Sequence, residues 1–245
     1  MIENYFYTAE TGSTNELLKE MLRDKVLPQG FVVHTDFQSA GKGQGSNVWE
    51  SAKGKNLLFS LLLRPQQIAA SEFFLISQMV SLGILYVFHA LTDEENAQYF
   101  TIKWPNDIYW KNQKIGGILI ENTLQGRNIQ TSICGIGLNI NQEVFTSEAP
   151  NPISLRHITQ QTFDLNRLLV DIKSSILEIG KLSSDDVRQQ YKQHLYRNTG
   201  YHPFKSSNFT FCARILHIDT DGKLILEDTE KKRLAFYFKE VEFVL

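Results

Sequence analysis

Two cysteines, Cys134 and Cys212, in a chain of 245 residues cannot build a disulfide framework, so the fold must rest on a packed core. Charge of one sign is also lacking: 25 Lys and Arg stand against 27 Asp and Glu, for a net −2. That excludes a surface devoted to nucleic acid, while leaving local basic clusters free to hold phosphate. No charged segment followed by an apolar one opens the chain in the manner of a secretory signal, which points to a reducing cytoplasm. The histidines, at positions 34, 89, 157, 194, 202 and 217, show no metal-ligand spacing, and no Gly-x-Ser-x-Gly elbow occurs. One uncharged run stands out for its length. Phe73 to Leu91 carries no formal charge and approaches the length of a membrane span. It contains Ser77, Gln78, Ser81 and His89 without flanking orientation signals, and is read as a buried central helix.

What is present suits one large domain, or one domain with a small appendage. Ser13-Thr14-Asn15-Glu16 has the form of a capping box, and Leu17, Leu18, Met21 and Leu22 follow at helical spacing. Phe31-Val32-Val33 marks a strand that opens into Ser39 to Trp49, where Gly41, Gly43 and Gly45 alternate with small polar residues. This loop is neither a Walker A sequence nor a dinucleotide fingerprint, since Ser46 occupies the third glycine position. Lys42 and Trp49 place a charge and a flat aromatic face at its ends, which suit an anion and a purine. Asn56 to Leu63 reads as a fully apolar strand. In Tyr99 to Trp104, Phe100, Ile102 and Trp104 share one face and Thr101 and Lys103 the other. Pro105 ends that strand, and hairpins turn at Lys111-Asn112-Gln113 and at Gln125 to Asn128.

Glycine pairs fall on successive strands, Gly116-Gly117 on one and Gly135 and Gly137 on the next. Beside Lys103 and Lys114 they read as the floor of a ligand site. Leu165, Leu168, Leu169, Ile172, Ile176 and Ile179 mark an amphipathic helix, and Ser183-Ser184 precede another reaching about Tyr196. From Phe209 onward, short strands with turns at Asp219 to Gly222 and Asp228 to Lys231 suggest a small β-barrel. The chemistry left after these exclusions is that of lysine, amide, glycine and tryptophan. Such groups stabilise an anion without a dedicated nucleophile, as in forming an acyl phosphate or acyl adenylate.

Lys103-Trp104-Pro105-Asn106-Asp107 followed by Lys114-Ile115-Gly116-Gly117-Ile118-Leu119-Ile120-Glu121 resembles the signature of the biotin–protein ligases. Ser13-Thr14-Asn15, Gln38 to Trp49 and Gly135-Ile136-Gly137-Leu138-Asn139 match in order, so the resemblance covers nearly the whole chain. It implies an α+β fold, a mixed sheet with flanking helices related to class II aminoacyl-tRNA synthetases, over residues 1–197. A small SH3-like β-barrel is implied over 198–245. The implied reaction joins biotin to ATP with Mg²⁺, giving biotinoyl-5′-AMP, and then transfers biotin to a lysine of a biotin carboxyl carrier protein domain. No redox cofactor, DNA or membrane is involved in it.

By position, Lys114 is the implied catalytic lysine, with Lys42 meeting the carboxylate or phosphate from the loop. Ser13, Thr14, Asn15, Gln38, Gly41, Gly116 and Gly117 would hold biotin. Trp49, Lys103, Asn106 and Asn139 would line the adenylate, and Asp107 is a candidate either for Mg²⁺ or for organising its turn. The family includes monomers and homodimers, and no stripe here declares an interface. Two departures stand out. The family loop usually reads Gly-Arg-Gly-Arg, whereas Lys42 and Gln44 occupy the basic positions here, so readier release of the adenylate is expected. Ser13 also lies too near the first residue to leave room for the DNA-binding helix-turn-helix of some relatives, so no repressor role is expected. The rival readings are a lipoate–protein ligase or related acyltransferase, and a biotin-binding sensor without turnover.

Overall fold

The computed structural model describes residues 4–45, 47–146, 151–207 and 209–244; Ser46 of the Gly-rich loop lies outside them. The chain opens with β1 (Tyr5–Thr8), α1 (Thr14–Asp24), β2 (Val32–Thr35) and β3 (Leu57–Leu63). Next come the long helix α2 (Phe74–Ala90), the single turn α3 (Glu94–Ala97), and four strands in hairpin succession. These are β4 (Phe100–Lys103), β5 (Asp107–Trp110), β6 (Gln113–Gln125) and β7 (Asn128–Leu138). Helices α4 (Leu155–Thr159), α5 (Leu165–Ile179) and α6 (Ser184–Gln193) complete this part. One seven-stranded sheet results, in the order β1-β2-β3-β7-β6-β5-β4, parallel at β1–β2 and antiparallel elsewhere. The expected mixed sheet with helices is therefore present.

Strand β3 explains the layering. Leu57, Phe59, Leu61 and Leu63 point into the main core with α2 and α5. Leu62, from the alternate set, packs with Leu18 of α1, Val33 and Ile133 on the opposite face. A strand covered on both sides reads as a near-continuous apolar run, and this one does. The run is not fully apolar, however: Ser60 sits in it, wholly buried, on the α1 side. The apolar segment read as a buried helix is α2, apolar around most of its circumference because the sheet, α5 and α6 enclose it. No helix is long and apolar enough to cross a membrane among the described residues.

Helix α5 buries Leu168, Leu169, Ile172, Ile176 and Ile179, and Asp164 caps it by accepting from the Asn166 and Arg167 amides. Where α2 crosses α5, a methyl on Gly83 would lie 2.6 Å from Ile176 Cγ1, 2.7 Å from its Cα and 2.8 Å from its N. Main-chain atoms cannot yield as a side-chain tip can. Gly83→Ala should therefore force the helices apart and cost about 1–3 kcal/mol. Thermal melting would register this as a fall of roughly 2–4 °C per kcal/mol, and an unchanged midpoint would refute so close a crossing.

The C-terminal unit is a five-stranded antiparallel sheet of β8 (His202–Ser206), β9 (Thr210–Ile218), β10 (Leu224–Asp228), β11 (Arg233–Phe236) and β12 (Val241–Phe243). Its order is β11-β10-β9-β8-β12. It docks on the larger sheet through Trp104, whose indole N–H donates to Gly222 O at 2.9 Å. Gly222 is at φ 85° with Phe74 against it; a methyl there would meet the ring at 2.8 Å. Only glycine suits both the turn and the contact.

Candidate active site

Register places the site. Residues paired across adjacent strands share a face, and Lys103 pairs with Asp107, Asp107 with Gly117, Gly117 with Gly137, and Gly137 with Leu58. This row crosses β4, β5, β6, β7 and β3. A second row beside it joins Leu119, Gly135 and Ser60. Glycines at the middle of both rows leave a trough, above which lies a cavity of about 530 Å³. That volume suits a small-molecule substrate.

Two side chains from elsewhere descend into the trough. The Trp49 indole lies over Gly137, where a methyl would come within 2.6 Å of Cε2 and 2.8 Å of Nε1. Asn15 lies over Gly135, where a methyl would meet its Oδ1 at 2.5 Å. The glycines read as a ligand floor thus first make room for the protein's own Trp49 and Asn15. Gly116 faces the other way, against Leu138, as strand alternation requires.

At one end of the cavity, Lys114 Nζ rests 2.6 Å from Asp107 Oδ1 and 5.8 Å from the Trp49 ring. A β-bulge between Ile108 and Tyr109 sets Lys114 opposite Tyr109 and returns the chain so that Asp107 faces Gly117. Lys103 projects between aromatic rings, with Nζ 5.0 Å from the Tyr109 centroid and 5.5 Å from that of Phe243. Burial holds its ammonium below the usual lysine range, with the charge of Asp107 pulling the other way. Asn106 joins the cavity wall and donates to Ile118 O at 2.6 Å, fixing the turn that the Trp104-Pro105 cis peptide introduces.

The other end is a hydrogen-bonded polar wall. Gln38 Oε1 accepts from Thr14 N at 2.8 Å and lies 3.1 Å from Thr14 Oγ1. Ser60 Oγ is 2.8 Å from Thr14 Oγ1 and 2.6 Å from Asn15 Oδ1. Asn15 Nδ2 donates to Glu121 Oε2 at 2.8 Å, and Glu121 in turn grips Lys19 at 2.5 Å. The capping box does not form. Ser13 makes no side-chain cap bond, and Glu16 is taken by Lys42 at 2.7 Å and Lys19 at 3.1 Å. Charge-assisted pairs outweigh a bond to a neutral amide for the Glu16 carboxylate, and Ser13 lines the cavity.

The cavity wall unites Ser13, Thr14, Asn15, Gln38, Lys42, Trp49, Lys103, Asn106, Asp107, Lys114 and Gly117, drawn from four separate chain segments. Gly41, Gly116 and Asn139 lie behind it. A methyl on Gly41 would strike Trp49 O at 2.5 Å, so its place is in the loop's own hairpin, closed by Trp49 N–H donating to Gly41 O. Asn139 is buried, its main chain tied to Ile115 and Leu155. Sequence reasoning missed Ser60, hidden in its apolar run, and gave no role to Glu121. It also missed Phe238, Lys239, Val241, Glu242 and Phe243, which carry the C-terminal sheet to the cavity. The alternation of Phe236, Phe238, Val241 and Phe243, broken by Lys239-Glu240, was the available signal.

No histidine or cysteine lines this cavity among the described residues, and lysines enter it from four segments. Lysine ammoniums so placed can polarise and position an anionic substrate. The chain belongs to the biotin/lipoate A/B protein ligase family, whose model matches residues 7–139, more than half of its length. It is 28% identical to the bifunctional ligase/repressor BirA of Bacillus subtilis over 94% of this chain and 71% of that one. Over 48% of this chain and 35% of the relative, it is 38% identical to biotin–protein ligase 2 of Arabidopsis thaliana. In three dimensions it resembles the biotin protein ligase of Aquifex aeolicus solved with biotin and ATP. That match has a TM-score of 0.79 at 21% identity and covers 99% of this chain and 100% of the other.

Proposed function

We propose that this protein is an ATP-dependent ligase that activates biotin as biotinoyl-5′-AMP and transfers it to a lysine of a biotin carboxyl carrier domain. The observation that carries the reading is the trough itself, with a polar wall at one end and Lys114 on Asp107 at the other. A carboxylic acid with a polar head and an apolar chain fits that polarity. Its head would meet Ser13, Thr14, Asn15 and Gln38, its chain would run along the trough beside Asn15 and Trp49, and its carboxylate would reach Lys114. The nucleotide would lie beyond, toward Trp49, Lys103 and Asn106.

In the first step a biotin carboxylate oxygen attacks the α-phosphorus of ATP and pyrophosphate departs. Lys114 would exchange Asp107 for the growing charge between carboxylate and phosphate, strengthening as that charge develops. In the second step the acceptor lysine's amine attacks the carbonyl carbon of the mixed anhydride, AMP leaves, and the amine loses a proton. Magnesium enters as part of the nucleotide substrate. Among the described residues no cluster of three His, Cys, Asp or Glu side chains could cage a metal, and Asp107, released as Lys114 turns to the substrate, would offer the ion one carboxylate. That donor set fits an ion held chiefly by phosphates.

Incubating the protein with Mg·ATP and a carrier domain, and offering biotin or lipoate in separate reactions, tests the proposal by carrier mass. A biotin-sized increment is expected. A lipoyl increment would move the assignment to the lipoate branch, and no increment with either acid would leave a binding protein without turnover.

A further inference from the structure

The C-terminal sheet brings a lysine to the Gly-rich loop at the point where the loop has no cation of its own. The tip joining β11 to β12 is locked by two hydrogen bonds. Tyr237 N–H donates to Glu240 Oε2 at 2.6 Å, and Glu240 N–H donates to Tyr237 O at 3.1 Å. The turn sets Lys239 at φ 71°, in the left-handed region that turns also impose on Lys111 and Lys231. From there the side chain passes over Gly45. A methyl at Gly45 would lie 2.8 Å from Lys239 Nζ and 3.2 Å from its Cε, so the crossing depends on the glycine.

Lys239 lines the same cavity as Lys42, Lys103 and Lys114. Lys42 is paired with Glu16 and Lys114 with Asp107, while Lys103 lies between two aromatic rings. Lys239 has no carboxylate partner among the described residues, only the edge of its neighbour Phe238, 5.9 Å from the ring centroid. After Lys42 the loop from Gly43 to Trp49 contains no Lys or Arg. An unpaired ammonium, held at a left-handed backbone position over a glycine at the cavity mouth, is arranged for an anion the protein does not supply. We infer that Lys239 binds the phosphate groups of the nucleotide, so that the C-terminal sheet provides the loop's second cation and holds the loop closed over the adenylate. The inference rests on the ligase reading above.

Lys239→Gly removes the ammonium and relieves the left-handed backbone, so it keeps the fold; Lys239→Arg keeps the charge. Steady-state pyrophosphate release, the half-life of the enzyme-bound adenylate and the melting temperature would be measured for both. Lys239→Gly should raise the KM for ATP about tenfold and shorten the adenylate half-life about tenfold, with the KM for biotin within about twofold and no loss of melting temperature. Lys239→Arg should match the parent. Adding Gln44→Arg to Lys239→Gly should recover most of the half-life, because it returns a cation to the loop. An active parent with an unchanged KM for ATP and half-life in Lys239→Gly would overturn the inference and leave the ligase reading intact. An equal rise in both KM values together with a lowered melting temperature would also overturn it, by reducing Lys239 to a structural role. A parent that releases no pyrophosphate would instead defeat the ligase reading.

Discussion

Lys114→Ala should lower biotin-dependent pyrophosphate release by about 10²–10³-fold, equivalent to roughly 2.7–4 kcal/mol of lost transition-state stabilisation. The fold should survive the change. Lys114 is about one-third exposed, and its single ion pair, with Asp107 at 2.6 Å, is of the solvent-reachable kind that contributes at most about 1 kcal/mol. Removing Lys114 also leaves Asp107 facing an anionic substrate, which by itself could repel the nucleotide. Lys114→Ala combined with Asp107→Asn separates the two causes. If the lysine's charge carries the rate, the double variant stays as slow as the single one, although its KM for ATP improves. Recovery of pyrophosphate release in the double variant would assign the loss to bare Asp107, and near-normal release by Lys114→Ala alone would refute the role altogether.

Local chemistry was legible in the sequence wherever one segment contained it. The Lys103 to Asp107 strand end, the hairpin reaching Lys114 and the spacing of Gly135 and Gly137 all lie where the residue pattern puts them. What failed depended on pairing between segments. Ser60 looked like one polar residue lost in an apolar strand, and only the β3–β7 register sets it opposite Gly135 and beneath Asn15. The capping box failed because Glu16 found Lys42, twenty-six positions on, a competitor invisible to a four-residue motif. Lys239 reaches the cavity because the C-terminal sheet docks on the larger one, where Trp104 donates to Gly222 across 118 positions of sequence, a contact no periodicity announces. Alternation along β6 also divides the Gly-Gly pair, sending Gly117 to the cavity and Gly116 to the core.

That division makes the two glycines of β7 a sharp test of which end of the trough holds which substrate. Gly135→Ala should raise the KM for biotin by about 100-fold or more while leaving the KM for ATP within a few-fold. A methyl there would stand 2.5 Å from Asn15 Oδ1 and 3.0 Å from its Cγ. Asn15 has nowhere to retreat, being buried and held by Ser60 at 2.6 Å and by Glu121 at 2.8 Å. Its displacement would leave buried polar groups unpaired, at a cost of about 1–3 kcal/mol each in binding and in stability. Gly137→Ala meets a different neighbour, the Trp49 indole at 2.6 Å, which sits on the Gly-rich loop and not in a hydrogen-bonded lattice. Its indole N–H has no partner to lose. The loop can shift outward with the ring, so the melting temperature should change little while the KM for ATP rises about tenfold. Opposite selectivity, with Gly135→Ala acting on ATP and Gly137→Ala on biotin, would reverse the orientation of the two substrates in the trough. Equal effects of both variants on both substrates would mean that the trough works as one subsite, against the division by Asn15 and Trp49 on which the proposed mechanism depends.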